Sequence, residues 1–150
     1  MTIAAVALGS NLGDRSAHLD YAISRLQSHL ANVRVSRYYE TDPIGVPGPQ
    51  PLFLNAAVVG STDASARDLL RTLLEIEVER GRERPHPGAA RTLDLDLVLY
   101  GNLILDEPGL IVPHPRFRER RFVLEPLAEI APQLLDPVTG STVGELLLKV

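Results

Sequence analysis

The chain has 150 residues, a formal net charge of −4 at pH 7 and no cysteine. This length suits one domain with a substantial core, and the acidic balance argues against a general nucleic-acid binder. The missing cysteines exclude disulfides, zinc–thiolate sites and thiol nucleophiles. No stretch has the length of a membrane span or the features of a signal peptide. We therefore expect a cytoplasmic protein in which residues 1–150 form a single domain.

The first half of the chain predicts strands alternating with a helix. The apolar run Ile3–Leu8 predicts a buried strand ending in a glycine turn, and apolar residues at helical spacing predict a helix over about residues 15–30. Alternating residues predict a second strand over Val33–Tyr39, and Phe53–Val59 is rich in strand formers. Between them, residues 41–51 contain four prolines and two glycines, which indicate a loop.

The next segments complete a recognisable element order. A second helix is expected after a cap at Asp63 or Ser65, and Gly81 is a natural stop for it. After another proline- and glycine-rich segment, Arg91–Tyr100 predicts a further strand. The order β-α-β-β-α-β is that of the ferredoxin-like fold. We therefore predict an α+β class with an antiparallel sheet and helices on one side.

The C-terminal part predicts a helical extension of this core. A short strand is expected over Leu103–Leu105, and helices over about Arg118–Leu124 and Val143–Leu148. These helices should either cover the second face of the sheet or leave a binding cleft there.

The strand Arg91–Tyr100 carries the most informative pattern. Leucines occupy positions 93, 95, 97 and 99, and they alternate with Asp94 and Asp96. Alternate residues of a strand point to the same face about 7 Å apart, so the leucines should face a core and the carboxylates should lie together on the other face. Such a pair is either a solvated polar surface or a site for a hard cation such as Mg²⁺. The spacing alone leaves both interpretations open.

Arginine is concentrated around this strand. Of 15 basic residues 14 are arginine, and Lys149 is the only lysine. Eight arginines fall in two short segments, and the planar guanidinium group suits bidentate contacts with phosphate. The eight are Arg80, Arg82, Arg84 and Arg91, then Arg116, Arg118, Arg120 and Arg121. Their clustering beside a carboxylate pair predicts a polyphosphate site.

Other residues are open to a structural or a functional interpretation. The run Gly9–Asp14 fits a capped turn before a helix better than a phosphate loop, because it lacks the Lys-Ser/Thr ending. His114 lies between two prolines and suits either a turn or a phosphate contact. Glu77 fits a salt bridge or a contact with a nucleotide sugar.

Three further side chains suit a flat heterocycle. Asn55 lies within an apolar strand, where its amide must find hydrogen-bond partners. Phe53 and Phe122 belong either to the core or to a pair of rings that sandwich a ligand.

Four motifs, in chain order, resemble those of the 6-hydroxymethyl-7,8-dihydropterin pyrophosphokinases, which are enzymes of folate synthesis. The resemblance extends over almost the whole chain and is much more specific than any single motif. The motifs are Ala7–Gly13, then Tyr39–Pro43 with Phe53–Val58, then Arg91–Asp96, and finally Val112–Pro115 with Arg120–Leu127.

The resemblance implies a ferredoxin-like enzyme that transfers pyrophosphate from ATP to the hydroxymethyl group of the pterin and releases AMP. It implies two Mg²⁺ ions at Asp94 and Asp96, with Arg82 and Arg91 also catalytic. The residues that it assigns to ATP are Glu77, Arg82, Arg84, Arg91, His114 and Arg120. Those that it assigns to the pterin are Thr41, Ile44, Phe53, Asn55 and Phe122. The expected partners are these two substrates, with no nucleic acid and no membrane, and the expected state is a monomer.

Three positions depart from the family pattern. Pro87–Ala90 lacks the tryptophan of the Trp-Gly-Pro that many members carry, and Phe53 replaces a tyrosine of some members. Pro115 stands where an aromatic residue can occur. The role of the tryptophan therefore cannot be assigned here.

Two alternatives come from other functional classes. A ferredoxin-like RNA-binding module would need exposed aromatic residues and a basic face, which an aromatic content of 5% and the acidic balance disfavour. A regulatory domain would bind a nucleotide or metabolite without turnover, but it would not require paired aspartates beside clustered arginines.

Overall fold

An antiparallel sheet runs through the computed structural model, which describes residues 1–42, 50–81 and 92–150. The described strands and α-helices are β1 Thr2–Ser10, α1 Arg15–Gln27, β2 Ala31–Val35, β3 Tyr39–Thr41, β4 Phe53–Thr62, α2 Ala66–Glu79, β5 Asp94–Tyr100, β6 Leu105–Glu107, β7 Leu110–Val112, α3 Arg121–Ile130 and α4 Val143–Leu147. A short 3₁₀ helix, Phe117–Glu119, precedes α3.

The sheet has the strand order β2-β4-β1-β5, and β3 continues the β2 edge by pairing with β4. Each neighbouring pair is antiparallel, which confirms the predicted ferredoxin-like α+β fold. The longest described helix, α2, has 14 residues, and none of the described helices combines the length and hydrophobicity needed to cross a bilayer.

Two apolar cores lie on opposite faces of the sheet. On one face, Leu19 of α1 and Leu73 of α2 are buried with Val6 of β1. On the other face, Leu124 of α3 is buried with Val59 of β4. Each fully buried leucine contributes about 2 kcal/mol of transfer free energy. The C-terminal helices thus cover part of the second face, as one of the two sequence interpretations expected.

Two strand predictions need correction. The predicted strand Val33–Tyr39 is divided into β2 and β3, because the Ser36 hydroxyl accepts a bond from the Ala57 amide at 2.9 Å and donates to the Arg37 carbonyl. The Ser36 amide still donates to the Ala57 carbonyl at 3.0 Å, but the hydroxyl takes the place of the backbone carbonyl that would accept from the Ala57 amide. The hairpin of β6 and β7 was not predicted, and β6 begins only where the expected strand 103–105 ends.

The aspartate strand follows the predicted alternation except at one end. Leu93, Leu95 and Leu97 are buried in the core under α1 and α2. The pairing of β1 with β5 shifts between Ala5 and Val6, and Leu99 is therefore buried in the opposite core. The prediction that all four leucines share one face is wrong at Leu99, because a bulge changes the side-chain phase.

Glu77 joins α2 to the aspartate strand. Its side chain is only 1% exposed, and Oε2 accepts a hydrogen bond from the Leu95 amide at 2.7 Å. Leu95 lies between Asp94 and Asp96, so this bond holds the backbone that presents both carboxylates.

Asp136 holds the C-terminal segment against the 3₁₀ helix. Its fully buried carboxylate accepts bonds from Arg118 Nε at 2.5 Å, Arg118 Nη2 at 2.9 Å, Thr139 Oγ1 at 2.7 Å and the Val138 amide at 3.0 Å. Burial alone would raise the pKa of Asp136, but these bonds outweigh it and lower the pKa to about 2. Arg118 therefore has a structural role.

We predict that Asp136→Asn lowers the free energy of unfolding by about 3 kcal/mol, because it leaves the partly buried Arg118 without a counter-charge. The folded-state pKa of about 2 lies below the ordinary 3.8. The ionised form therefore stabilises the fold fully above about pH 5, by about 2 kcal/mol, and this stability is lost as the pH falls towards 2. Urea denaturation at pH 7 and pH 3 measures both effects. Equal stability of variant and wild type at pH 7 would contradict the assignment.

We also predict that Glu77→Ala lowers the free energy of unfolding by about 3 kcal/mol, because the buried Leu95 amide loses its acceptor. Glu77→Gln should lose less, since its amide oxygen can accept the same bond. Urea denaturation of the two variants measures the difference. Equal losses would show that packing, not the hydrogen bond, accounts for the effect.

Candidate active site

The register of three strands creates a polar row at one end of the sheet. Gly9 of β1 pairs with Asp94 of β5 on one side and with Asn55 of β4 on the other. Two residues earlier in β1, Ala7 lies opposite Asp96 of β5. Paired residues of neighbouring strands present their side chains on the same face. The face that is apolar under α3 thus becomes polar around the two aspartates.

A first pocket opens over this row and has a volume of about 660 Å³ including its open mouth. Its wall includes the start of α3 and the end of β3. The side chains that line it and were predicted as site residues are Thr41, Phe53, Asn55, Asp94, Asp96, Arg120 and Phe122. Seven predicted residues from four separate segments are therefore brought together.

Asn55 has a fixed orientation at the floor of the first pocket. It is only 5% exposed, and its Nδ2 donates a hydrogen bond to Thr41 Oγ1. This partner leaves Oδ1 beside Gly9, where a Cβ atom on the glycine would lie 3.2 Å from it. The buried amide therefore has the partner that its position requires, and it presents an acceptor towards the pocket.

The two phenylalanines lie at the pocket and outside the fully buried core. Phe53 and Phe122 both line it, and Phe122 packs its partly buried ring against the core under α3. The Arg120 guanidinium lies 5.5 Å from the centre of the Phe122 ring. This arrangement gives the first pocket aromatic surface together with a cation.

A second pocket of about 550 Å³, again including its open mouth, lies along the outer edge of β5. Leu70 of α2, Leu97 of β5 and Leu110 of β7 make it largely apolar, while Asp96 and His114 supply polar groups. Asp96 lines both pockets, and the position of this shared residue is called the junction.

His114 is held as a hydrogen-bond donor at the second pocket. Its backbone amide donates to the Val98 carbonyl at 2.9 Å, and its ring Nδ1 accepts from the Arg116 amide at 3.1 Å. Burial, followed by the positive charge of Arg120, lowers the pKa of His114 to about 4, although Asp94 opposes this shift. The ring is therefore neutral near pH 7 and carries its proton on Nε2.

The carboxylate pair suits a hard cation. Asp94 and Asp96 are both half-buried and open into the first pocket. Within the described ranges, no group of three or more His, Asp or Glu side chains could hold a metal ion. At one or two carboxylates, Mg²⁺ commonly takes its remaining ligands from phosphate oxygens and water.

Several clustered arginines are engaged away from the pockets. Arg118 binds Asp136, and Arg121 donates to the Val150 carbonyl. Arg80 donates to His18 Nδ1 at 3.0 Å and lies over the Tyr21 ring. These three arginines, which were not assigned to a substrate, thus have partners elsewhere in the fold.

Four predicted site residues and one departure lie outside the described residues. They are Ile44, Arg82, Arg84, Arg91 and the segment Pro87–Ala90. Glu77 is described, and its contact with the Leu95 amide neither supports nor excludes a role towards ATP.

Sequence reasoning missed two parts of the site. Gly9 was assigned to a turn, but it lies within β1 and lines the first pocket, whereas Asp14 caps α1 as expected. A glycine inside a strand was the available signal, since it often marks a close approach of a ligand. The residues of β7 that line the second pocket were missed with their hairpin, whose strands are only three residues long.

The chain was compared with known proteins. A sequence model of the 7,8-dihydro-6-hydroxymethylpterin-pyrophosphokinase family matches residues 5–132. A 2-amino-4-hydroxy-6-hydroxymethyldihydropteridine pyrophosphokinase of Bacillus subtilis is 45% identical over 141 residues, which cover 93% of this chain and 84% of the relative. The enzyme of the same name from Pseudomonas aeruginosa is 42% identical over 144 residues, with 95% and 88% covered.

A solved structure agrees at the level of the fold. The wild-type HPPK-DHPS of Plasmodium falciparum superimposes with a TM-score of 0.74 at 15% identity. The match covers 99% of this chain and 44% of that chain, so this protein corresponds to less than half of it. The sequence matches show that the chain belongs to the 7,8-dihydro-6-hydroxymethylpterin-pyrophosphokinase family.

Proposed function

We propose that this transferase moves pyrophosphate from ATP to the hydroxymethyl group of 6-hydroxymethyl-7,8-dihydropterin, giving the diphosphate ester and AMP. The observation that carries the proposal is that Asp96 lines two pockets of different character. A reaction between two substrates needs their reacting groups to meet, and the carboxylate pair lies where they would do so.

The first pocket suits the pterin. Its two phenylalanines can contact the faces of a flat bicyclic ring, as Phe53 and Phe122 both line the space. Asn55 presents a carbonyl oxygen and Thr41 a hydroxyl, which match the donors and acceptors on the edge of a pterin. We assign Ile44 to the same ligand from the family resemblance.

The second pocket suits ATP. Its leucine side chains provide an apolar surface for adenine, and the Nε2–H of His114 can donate to an anionic or carbonyl acceptor. Arg120 lines the first pocket close enough to His114 to lower its pKa, so its cation lies near the junction of the two pockets. We assign Glu77, Arg82, Arg84 and Arg91 to ATP from the family resemblance.

The residues at the junction would hold two Mg²⁺ ions. Asp94 and Asp96 would bind them together with the phosphates of ATP. When bound, these ions neutralise phosphate charge and help to align the hydroxymethyl group with the triphosphate.

The chain contributes mainly by position and charge. The hydroxymethyl oxygen forms a bond to the β-phosphorus, the bond from that phosphorus to the α,β-bridging oxygen breaks, and AMP leaves with that oxygen. Arg120 offsets the negative charge on the transferred group, and we assign the same role to Arg82 and Arg91. The hydroxyl proton passes to water or to a pocket carboxylate. The proposed reaction uses residues of one chain, and we propose that the protein acts as a monomer.

We predict that the products of ATP and the pterin are AMP and a pterin diphosphate ester. Attack at the β-phosphorus transfers two phosphoryl groups together, so no ADP should accumulate. Mass spectrometry of the reaction mixture identifies the products. ADP with a pterin monophosphate would disprove pyrophosphoryl transfer, and binding of both ligands without products would favour the regulatory alternative.

We predict that Asp96→Asn reduces turnover at least 1,000-fold, because it removes a carboxylate charge where both substrates and the ions meet. The melting temperature should change by less than about 2 °C, since the side chain is half-buried and faces the pockets. Asp106→Asn, an exposed carboxylate on β6, is the matched control and should keep wild-type turnover. Substantial activity in Asp96→Asn at any Mg²⁺ concentration would contradict the metal assignment.

A further inference from the structure

The backbone conformation at Gly9 does not require a glycine. The described glycines with a positive φ are Gly13, Gly81, Gly101, Gly109 and Gly140, and Gly9 is not among them. It lies in β1 with partners on both sides, where any residue could adopt the extended conformation. Glycine inside a strand is destabilising relative to alanine, because it loses more conformational freedom on folding. The missing side chain therefore calls for an explanation outside the backbone.

A side chain at Gly9 would enter the first pocket. A Cβ atom there would lie 3.2 Å from Asn55 Oδ1 and 3.6 Å from Phe53 Cδ1. Asn55 cannot easily move away, because it is 5% exposed and its Nδ2 is bonded to Thr41. On the other side of Gly9 lies Asp94. The space above Gly9 is thus bounded by residues of both the heterocycle side and the metal side.

We propose that Gly9 is a specificity-determining residue. Because it has no side chain, it leaves a space on the floor of the first pocket, and a flat heteroaromatic substrate occupies that space. This proposal rests on the proposed function for the identity of that substrate. Ala7, the previous residue on the same face, lies opposite Asp96 and Ala57. The change from alanine to glycine along β1 therefore deepens the floor beside Asn55.

A substitution at Gly9 should affect the ligand of one pocket only. Gly9 lines the first pocket and not the second, which is bounded by residues such as Leu70, Leu110 and His114. A side chain at position 9 should therefore weaken the binding of the heterocycle and leave the binding of the nucleotide almost unchanged.

The experiment measures the binding of each substrate separately to Gly9→Ala and Gly9→Val. The probes are 6-hydroxymethylpterin, followed by its fluorescence, and the Mg²⁺ complex of α,β-methylene ATP, followed by calorimetry. We expect the pterin to bind about 10-fold more weakly to the alanine variant and about 100-fold more weakly to the valine variant, about 1.4 and 2.7 kcal/mol respectively. Nucleotide affinity should stay within about twofold.

Gly140→Ala is the control for a general loss of stability. Gly140 has a φ of 76° and open space around its Cβ position, so alanine strains the backbone without filling a pocket. It should lower the melting temperature and leave both affinities unchanged. The same comparison in an Asn55→Ala background tests whether the new methyl group acts only by displacing the amide.

Three results would overturn the role of Gly9. They are wild-type affinity of Gly9→Ala for the pterin, an equal loss of nucleotide affinity, and disappearance of the effect in the Asn55→Ala background. Failure of the proposed function gives a different pattern. In that case the wild-type protein would bind both probes but form no diphosphate ester from ATP and 6-hydroxymethyl-7,8-dihydropterin, and the effect of Gly9→Ala on pterin binding would persist.

Discussion

Hydrogen bonds along β1 hold Gly9 between Asp94 and Asn55, and both pockets depend on this row. A slip of one residue in the pairing of β1 with β5 would turn the aspartates into the core under α1 and α2 and would bring leucines to the pocket. The same slip between β1 and β4 would turn Asn55 away from the first pocket. The register is strongly determined because each face of the central strand is buried by a separate core. The site is therefore fixed by the same apolar contacts that stabilise the sheet.

The charged side chains around Gly9, Asp94 and Asn55 have different roles, which depend on how deeply each is buried. Glu77 is fully buried and holds the backbone of β5, whereas the neighbouring aspartates keep their carboxylates at the pocket surface. Arg120 lies at the pocket, while Arg118, two residues earlier, is committed to a buried carboxylate. The spacing of these residues along the chain does not distinguish their roles, because each role depends on the direction in which the folded backbone points the side chain.

The sequence was most informative where periodicity and chemistry coincide. Alternation placed Asp94 and Asp96 on one face correctly, and the element order predicted the ferredoxin-like sheet. The bulge that moves Leu99 to the other core could not be predicted, since it depends on the partner strand and not on the local pattern. The break at Ser36 has the same origin, because its hydroxyl acts on a residue 21 positions away. The sequence predicts a salt bridge or a nucleotide-sugar contact for Glu77, and only the packing of α2 on β5 shows its bond to Leu95.

The bond between Arg118 and Asp136 has a consequence for where this domain ends. The family match stops at residue 132, so Asp136 and α4 lie beyond it. Yet Asp136 anchors the segment that leads into Arg120, and Val143 of α4 is fully buried in the core beneath α3. A chain shortened at the family boundary would keep every pocket residue and lose the support of one pocket wall. The folded unit therefore extends beyond the match to the family model, because the residues after 132 stabilise the wall of the first pocket that carries Arg120.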